Sequence, residues 1–397
     1  MVAWIVDGGA TMTRLKILVL CYEYPPVGGG GGRIAESIAE TLARRGHEVR
    51  VHTAGLRHLP NRESRNGVQI FRTPSFRRRE DTCTVPEMGL YVATALAPAA
   101  ALAMTWRPDV IHCHFAMPTG PVAWVASKAS RVPYVLTAHL GDVPGGVPDQ
   151  TDRLFRIVTP AARHIWRDAG VATAVSSFVC ELAQQAYGRE PRMIPNGVRI
   201  GPEPDFLPHN PPRVVFAGRF NPQKNLPFLA DALARIPRAV GWHLDLVGDG
   251  PDRAAVERRF AEAGLTDRVT LYGWQSAERT LDILRAADVF AIPSLSEGMP
   301  VAGIQALDAG LAIAGSTIPG LRDILNPGVN GIATRPDDPG AFATALAVVL
   351  SDPSQLASMR CASRAMISRF DLDRIADLYE QALLDAARPH GRVVTAG

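Results

Sequence analysis

The sequence predicts an α/β protein built as two doubly wound, Rossmann-like domains facing an interdomain cleft. Three observations predict it. Short apolar runs alternate with segments of helical periodicity along the chain, as parallel strands covered by helices on both faces require. The alternation breaks once, at the proline-rich Gly201–Arg213, and then restarts. The chain has 397 residues, 47% hydrophobic and 20% charged, which is enough for two cores at roughly 100–200 residues per domain.

The elements follow in order. Residues 1–15 hold one short apolar stretch, Ala3–Val6, with no basic flank before it, and read as a flexible extension rather than a secretory signal. Lys16–Cys21 is a strand, Gly28–Gly32 a loop, Ile34–Arg45 a helix spaced by Ile34, Ile38 and Leu42, and Glu48–Thr53 the second strand. Met88–Trp106 is apolar almost throughout, yet it holds Pro98 and many alanines and runs into the next strand. It reads as a buried helix, not a membrane span. Asp109–Cys113 and Tyr134–Thr137 are strands flanking the helix Pro121–Ser130, and residues 16–200 make the first domain. Residues 201–213 are the linker. In residues 214–370, strands Val214–Ala217, His243–Val247, Val269–Tyr272, Val289–Ile292, Leu311–Ala314 and Ile332–Ala333 alternate with helices such as Pro227–Arg235, Arg253–Ala263 and Val301–Asp308. Residues 371–397 carry the amphipathic helix Asp371–Ala387, expected to cross back onto the first domain, and a tail.

Composition narrows function. A net charge of +3, without strong asymmetry between the halves, calls for no nucleic acid. Five scattered cysteines with no Cys-x-x-Cys argue against a disulfide framework or a zinc site and fit a reducing cytoplasm. Lysine occurs only at positions 16, 128 and 224, so Lys224 marks a place suited to a compact ammonium.

Four motifs could carry chemistry. Gly28–Gly32 before Arg33 joins the first strand to the first helix, where backbone N–H groups and a helix N-terminus favour an anion. The second strand ends His52–Thr53–Ala54 without the carboxylate that a nicotinamide dinucleotide's ribose needs. Arg219 and Lys224, five residues apart after a strand, can hold a diphosphate from two sides. Glu297 and Gly298–Val301 follow a strand and open a helix at Pro300, combining an acceptor for sugar hydroxyls with free N–H groups. His139, with Asp142 behind it, ends a strand and can bond hydroxyls or carry a proton.

Taken together, these motifs resemble the family-4 glycosyltransferases of the GT-B fold. The resemblance also draws on Arg44–Val49, Asp109–His112, Ile194–Pro195–Asn196–Gly197–Val198, Val247–Pro251 and Pro293–Gly298, and spans residues 16 to about 387. It implies that Gly29 and Gly30 lie at the donor phosphate and the acceptor side. Arg219 and Lys224 would hold the diphosphate, and Glu297 the hydroxyls of the transferred sugar. Gly298, Met299, Pro300 and Val301 would contact sugar and phosphate through their backbone, the chain near Gly273–Trp274 would meet the nucleobase, and His139 would reach the reacting centre. The family's usual second glutamate, eight residues on, is Gln305 here, which lacks a carboxylate's charge-assisted bonds to the ribose.

The resemblance further implies a retaining transfer of a hexose or amino-hexose from a nucleotide sugar, commonly UDP-linked, with no other cofactor and no metal. Glu23, Asp142, Asp149 and Asp152 fall near loops of the first domain and favour a small cationic acceptor such as an aminocyclitol, as in aminoglycoside-type antibiotic biosynthesis. Arg72, Arg77, Arg78 and Arg79, around Phe71 and Phe76, are the competing sign of an anionic membrane or lipid-linked acceptor; the stretch reads as a mobile surface loop. A nucleotide-sugar epimerase or hydrolase, and a non-catalytic nucleotide-sugar binder, are the other functional classes.

Overall fold

The computed structural model describes residues 14–80 and 82–388, so the expected extension before Arg14 and the tail after Arg388 lie outside it. The first sheet is built from β1 (Lys16–Cys21), β2 (Glu48–Gly55), β3 (Arg62–Arg65), β4 (Val68–Pro74), β5 (Val110–His114), β6 (Tyr134–Ala138), β7 (Val171–Ala174) and β8 (Arg192–Met193). Its strand order is β3-β4-β2-β1-β5-β6-β7-β8. β1 lies parallel to β2 and β5, β2 to β4 and β7 to β8, whereas β3 runs antiparallel to β4. Ile17 to Cys21 are all buried, since a strand covered on both faces has no outward side to leave polar.

The helices of this half are α1 (Gly30–Arg44), α2 (Val85–Trp106), α3 (Thr119–Ser130), α4 (Pro148–Asp168) and α5 (Ser177–Tyr187). α1 buries Ile34, Ile38 and Leu42, the stripe its spacing predicts. The β3–β4 hairpin, absent from the sequence reading, turns on Asn66–Gly67, both at positive φ. Asn-Gly is a strong hairpin signal, but the short Arg-Glu-Ser-Arg strand beside it has no apolar alternation to announce it.

Two expectations fail here. α2 is not a buried helix: Tyr91, Ala95, Ala99, Ala100 and Ala103 face inward, while Leu90 and Met104 are 40% and 48% exposed. An apolar run has no polar face to betray which side is covered, so its burial could not be read. The helix is the one described segment long and apolar enough to cross a membrane by length and composition. Nor do Arg72 and Arg77 lie in a surface loop. Arg72 belongs to β4 and bonds Glu63 at 2.8 Å, and both arginines are buried.

The second sheet orders its strands β11-β10-β9-β12-β13-β14, all parallel: β9 (Arg213–Ala217), β10 (His243–Val247), β11 (Val269–Gly273), β12 (Val289–Ile292), β13 (Ala312–Ser316) and β14 (Gly331–Thr334). Its helices are α6 (Leu226–Leu233), α7 (Arg253–Glu262), α8 (Ala277–Arg285), α9 (Val301–Asp308), α10 (Pro339–Ser351), α11 (Pro353–Ala365) and α12 (Leu372–Ala387). Phe216, Leu229, Leu244, Phe260, Phe342 and Leu346 join in its core. Each such side chain contributes about 1.5–3 kcal/mol on burial.

Gly201–Arg213 is irregular up to β9, but it is clamped. The buried Arg360 donates to the carbonyls of Asp205, Leu207 and Gly310 and to the carboxylate of Asp288, while Arg364 bonds Asp308 and the carbonyl of Gly201.

The chain divides into two compact units. One comprises the residues up to Leu136, Asp168–Val171 and those from Glu380 on; the other comprises Thr137–Arg167 and Ala172–Tyr379. Within the first, Glu380 of α12 bonds Arg45 at 2.9 Å and stands 3.2 Å from His47.

Candidate active site

The order of the second sheet reverses between β9 and β12, and in such sheets ligands gather beyond the C-terminal ends of the strands at that point. The loops that leave those two ends are Gly218–Asn225 and Pro293–Pro300. The first carries Arg219 and Lys224. A short 3-10 turn over Pro222–Lys224 sets the lysine, with the Asn221 side chain accepting from the Lys224 N–H. The second carries Glu297 and leads into α9 at Pro300, which offers no side-chain cap to the helix.

These loops hold each other. Lys224 Nζ lies 2.6 Å from Glu297 Oε1, and Ser294 Oγ donates to the same oxygen at 2.6 Å. Gln223 Nε2 donates to the carbonyl of Ser296, and Leu295 N–H to the carbonyl of Gln223. Asn196 donates to the carbonyl of Met299, pinning the backbone just before α9. Glu297 is 5% exposed, so its carboxylate is satisfied by the lysine and the serine rather than by water. On the β9 side, Arg219 is half-buried and its Nε is buried without a partner. A donor in that condition suits an incoming oxyanion.

The segment after β6 packs against this loop pair in the same unit. Ser296 Oγ donates to the carbonyl of Gly146 at 2.5 Å. A Cβ on Gly298 would come within 2.8 Å of Leu140 Cβ, so glycine is what lets the Glu297 loop approach the residue beside His139. His139 is buried, and desolvation lowers its pKa to about 4. It is therefore neutral at pH 7, a hydrogen-bonding group without charge. Asp142 accepts from the His139 N–H at 2.7 Å and so fixes the backbone there.

The glycine-rich loop belongs to the other unit. Glu23 Oε2 accepts from the Gly29 N–H at 3.1 Å, directly before α1 begins at Gly30, and Arg77 stands 3.7 Å from the carboxylate. The carboxylates of Glu23 and Asp142, expected to meet a cationic acceptor, thus already have backbone N–H partners. The side chains of Asp149 and Asp152 lie outside the described residues.

Trp274 follows β11 with 55% of its surface exposed, and Gln305 sits half-buried one turn into α9. The one Asp-x-Asp triplet, Asp371–Leu372–Asp373, lies at the start of α12, where Asp371 Oδ1 accepts from the Asp373 N–H. Sequence reasoning gave no role to Ser294 or Asn196, although both stand inside motifs the resemblance rests on, and Arg77 reads there only as one of a basic stretch on a surface loop.

Residues 28–202 match the model of Glycosyltransferase Family 4, and residues 211–352 that of Glycosyl transferases group 1. A relative from Bacillus subtilis (strain 168) named for teichuronic acid biosynthesis, the glycosyltransferase TuaC, is 30% identical over 331 residues, covering 74% of this chain and 78% of its own. The 2-deoxystreptamine glucosyltransferase of Streptomyces kanamyceticus is 29% identical over 383 residues, covering 87% and 97%. Among solved structures, Anabaena HepE in complex with UDP-glucose superposes with a TM-score of 0.72 at 21% identity, covering 94% and 100%. With the parallel sheets, the motif-bearing loops at the β9–β12 reversal and these likenesses in agreement, the chain has the GT-B fold and belongs to the family-4 glycosyltransferases.

Proposed function

We propose that this glycosyltransferase moves a hexose or amino-hexose, with retention of the α configuration, from a UDP-linked donor to a hydroxyl of a small aminocyclitol or amino-sugar acceptor. The observation that carries the donor half is the Lys224–Glu297–Ser294 cluster, on loops that also hold the unpartnered Nε of Arg219. UDP is favoured because HepE binds UDP-glucose on the same fold.

In this reading Lys224 and Glu297 exchange partners. A diphosphate draws the ammonium, and Glu297 turns to hydroxyls of the sugar. The bond from C1 to the diphosphate oxygen breaks, the acceptor oxygen bonds to C1 on the same face, and the acceptor's proton passes to the departing phosphate oxygen. No side-chain base is then required. Arg219 and Lys224 offset the negative charge that grows on the leaving group. Neutral His139 hydrogen-bonds the sugar without adding charge, Trp274 and Gln305 face the nucleoside, and no metal is invoked.

The acceptor half is supported by the 2-deoxystreptamine glucosyltransferase relative rather than by free carboxylates. The test is incubation with UDP-glucose or UDP-N-acetylglucosamine and either 2-deoxystreptamine or a lipid-linked saccharide, with the product's anomeric proton read by NMR. An α-linked aminocyclitol product is expected. A β-linked product refutes retention, and transfer only to the lipid acceptor refutes the acceptor assignment. Free sugar or an isomerised donor, with no transfer, would favour the hydrolase or epimerase class.

A further inference from the structure

Ser294 belongs to the donor cluster, yet no step of the transfer uses it. The residue it touches, Glu297, has its main chain fixed from two sides. Leu295 N–H donates to the carbonyl of Gln223, and Gln223 Nε2 to the carbonyl of Ser296. The 3-10 turn Pro319–Leu321, after β13, packs so closely that a Cβ on Gly320 would collide with the Glu297 carbonyl. What remains to be set is the rotation of the carboxylate, and its two oxygens are treated unequally. Oε1 takes both bonds, from Lys224 Nζ and from Ser294 Oγ, each at 2.6 Å. Oε2 accepts none among the described residues and stays open to solvent. The two holders of Oε1 differ in kind. Lys224 carries its ammonium on a flexible four-carbon stem and is free to follow a diphosphate. Ser294 is fully buried two residues beyond β12, with its hydroxyl on a single carbon. Its bond to a carboxylate is charge-assisted, roughly twice as strong as a neutral one. All of these residues belong to the second unit.

We propose that Ser294 is a positioning residue for the donor sugar. It keeps Oε1 when a diphosphate draws Lys224 away, and so presents Oε2 to a hydroxyl of the transferred sugar. The proposal rests on the donor reading above and deepens it. Without the serine, Glu297 meets the sugar as a carboxylate that can rotate, and the entropy lost in ordering it opposes binding. Ser294 touches no substrate and acts only through Glu297. UDP carries no transferred sugar and gains nothing from Oε2. The serine therefore favours UDP-sugars over UDP rather than nucleotides in general.

The test is the ratio of affinities for a UDP-sugar and for UDP, measured by calorimetry on the full chain. The sugar nucleotide is UDP-glucose or UDP-N-acetylglucosamine, whichever the parent binds more tightly. Ser294→Ala is expected to lower that ratio roughly 10-fold, the scale of one hydrogen bond to a charged group, with a far smaller change for UDP alone. Ser294→Cys, close in shape but a weak donor, is expected to lower it too, and carries the test if the alanine variant does not fold. In a Glu297→Ala background, Ser294→Ala is expected to leave the ratio where it is. A merely structural serine would weaken UDP and the UDP-sugar alike and keep the parent's ratio, which overturns the proposal. So does a fall in the ratio that persists in the Glu297→Ala background. A parent chain that binds neither UDP nor either UDP-sugar refutes the donor reading and this one with it. Binding of both with a ratio indifferent to Ser294→Ala and Ser294→Cys refutes this one alone.

Discussion

Lys224 and Glu297 lie 2.6 Å apart, and the proposed reaction would use each against a different part of the substrate. Lys224→Ala is therefore expected to lower kcat by about 100- to 1,000-fold, as loss of one preorganised charge donor does. Steady-state kinetics on a variant that keeps its melting temperature checks this; unchanged turnover would sink the diphosphate assignment. The buried histidines make a prediction about pH. His52, bonded to Thr73, and His139 both have pKa values lowered to about 4 by desolvation. Each is neutral when folded and takes up a proton when unfolded below about 6.5, so the stability they contribute is present above that pH and lost as pH falls towards 4. The melting temperature should drop from pH 7 to pH 5, and His52→Gln should flatten that slope. A kcat profile with no ionisation near 6.5 is also expected if His139 works as a neutral group.

At the level of elements, the Glu297 loop owes its position to close packing. Gly298→Ala would drive a methyl group into Leu140, a strain of about 1–3 kcal/mol that also displaces the backbone beside His139. Activity should fall further than the melting temperature accounts for, and recovery in a Gly298→Ala/Leu140→Ala double variant would identify the clash as the cause. α2 yields the opposite expectation. Met104→Gln on its outer face should change unfolding free energy by no more than about 0.5 kcal/mol, whereas a core methionine would cost about 2–5 kcal/mol when truncated to alanine. Denaturant unfolding distinguishes the two. α1 and α9 were legible because apolar spacing and a glycine or proline at the start mark one face and one end. α2 was legible as a helix but not in its burial, and β3 was not legible at all, because pairing with β4 rather than its own pattern makes it a strand.

For the whole molecule, the segment read as a linker is held by two arginines, Arg360 and Arg364. Arg360 is 2% exposed and Asp288 fully buried, so Arg360→Ala takes the guanidinium from a buried carboxylate that keeps only His209 and the Arg213 N–H among the described residues, and leaves several carbonyls without donors. A loss of about 3–5 kcal/mol is expected by denaturant unfolding, with UDP affinity preserved if the variant folds. If the chain binds UDP as proposed, saturating UDP should raise stability by about 2.7 kcal/mol at a hundredfold excess over Kd, because the ligand would hold the folded state alone.

Taken alone, the order of residues determined the two α/β sheets, the irregular segment between them and the loops that carry Arg219, Lys224, Glu297 and His139. Periodicity, glycine and proline placement and motif spacing act over a few residues and are written in the chain itself. Tertiary structure alone decided that Lys224 and Glu297 pair, that Ser294 shares their oxygen, that Arg77 is buried beside Glu23 and that one side of α2 stays uncovered. Each of these depends on which distant segment fills the space next to a side chain, and burial and charge pairing are properties of that neighbour rather than of the local sequence.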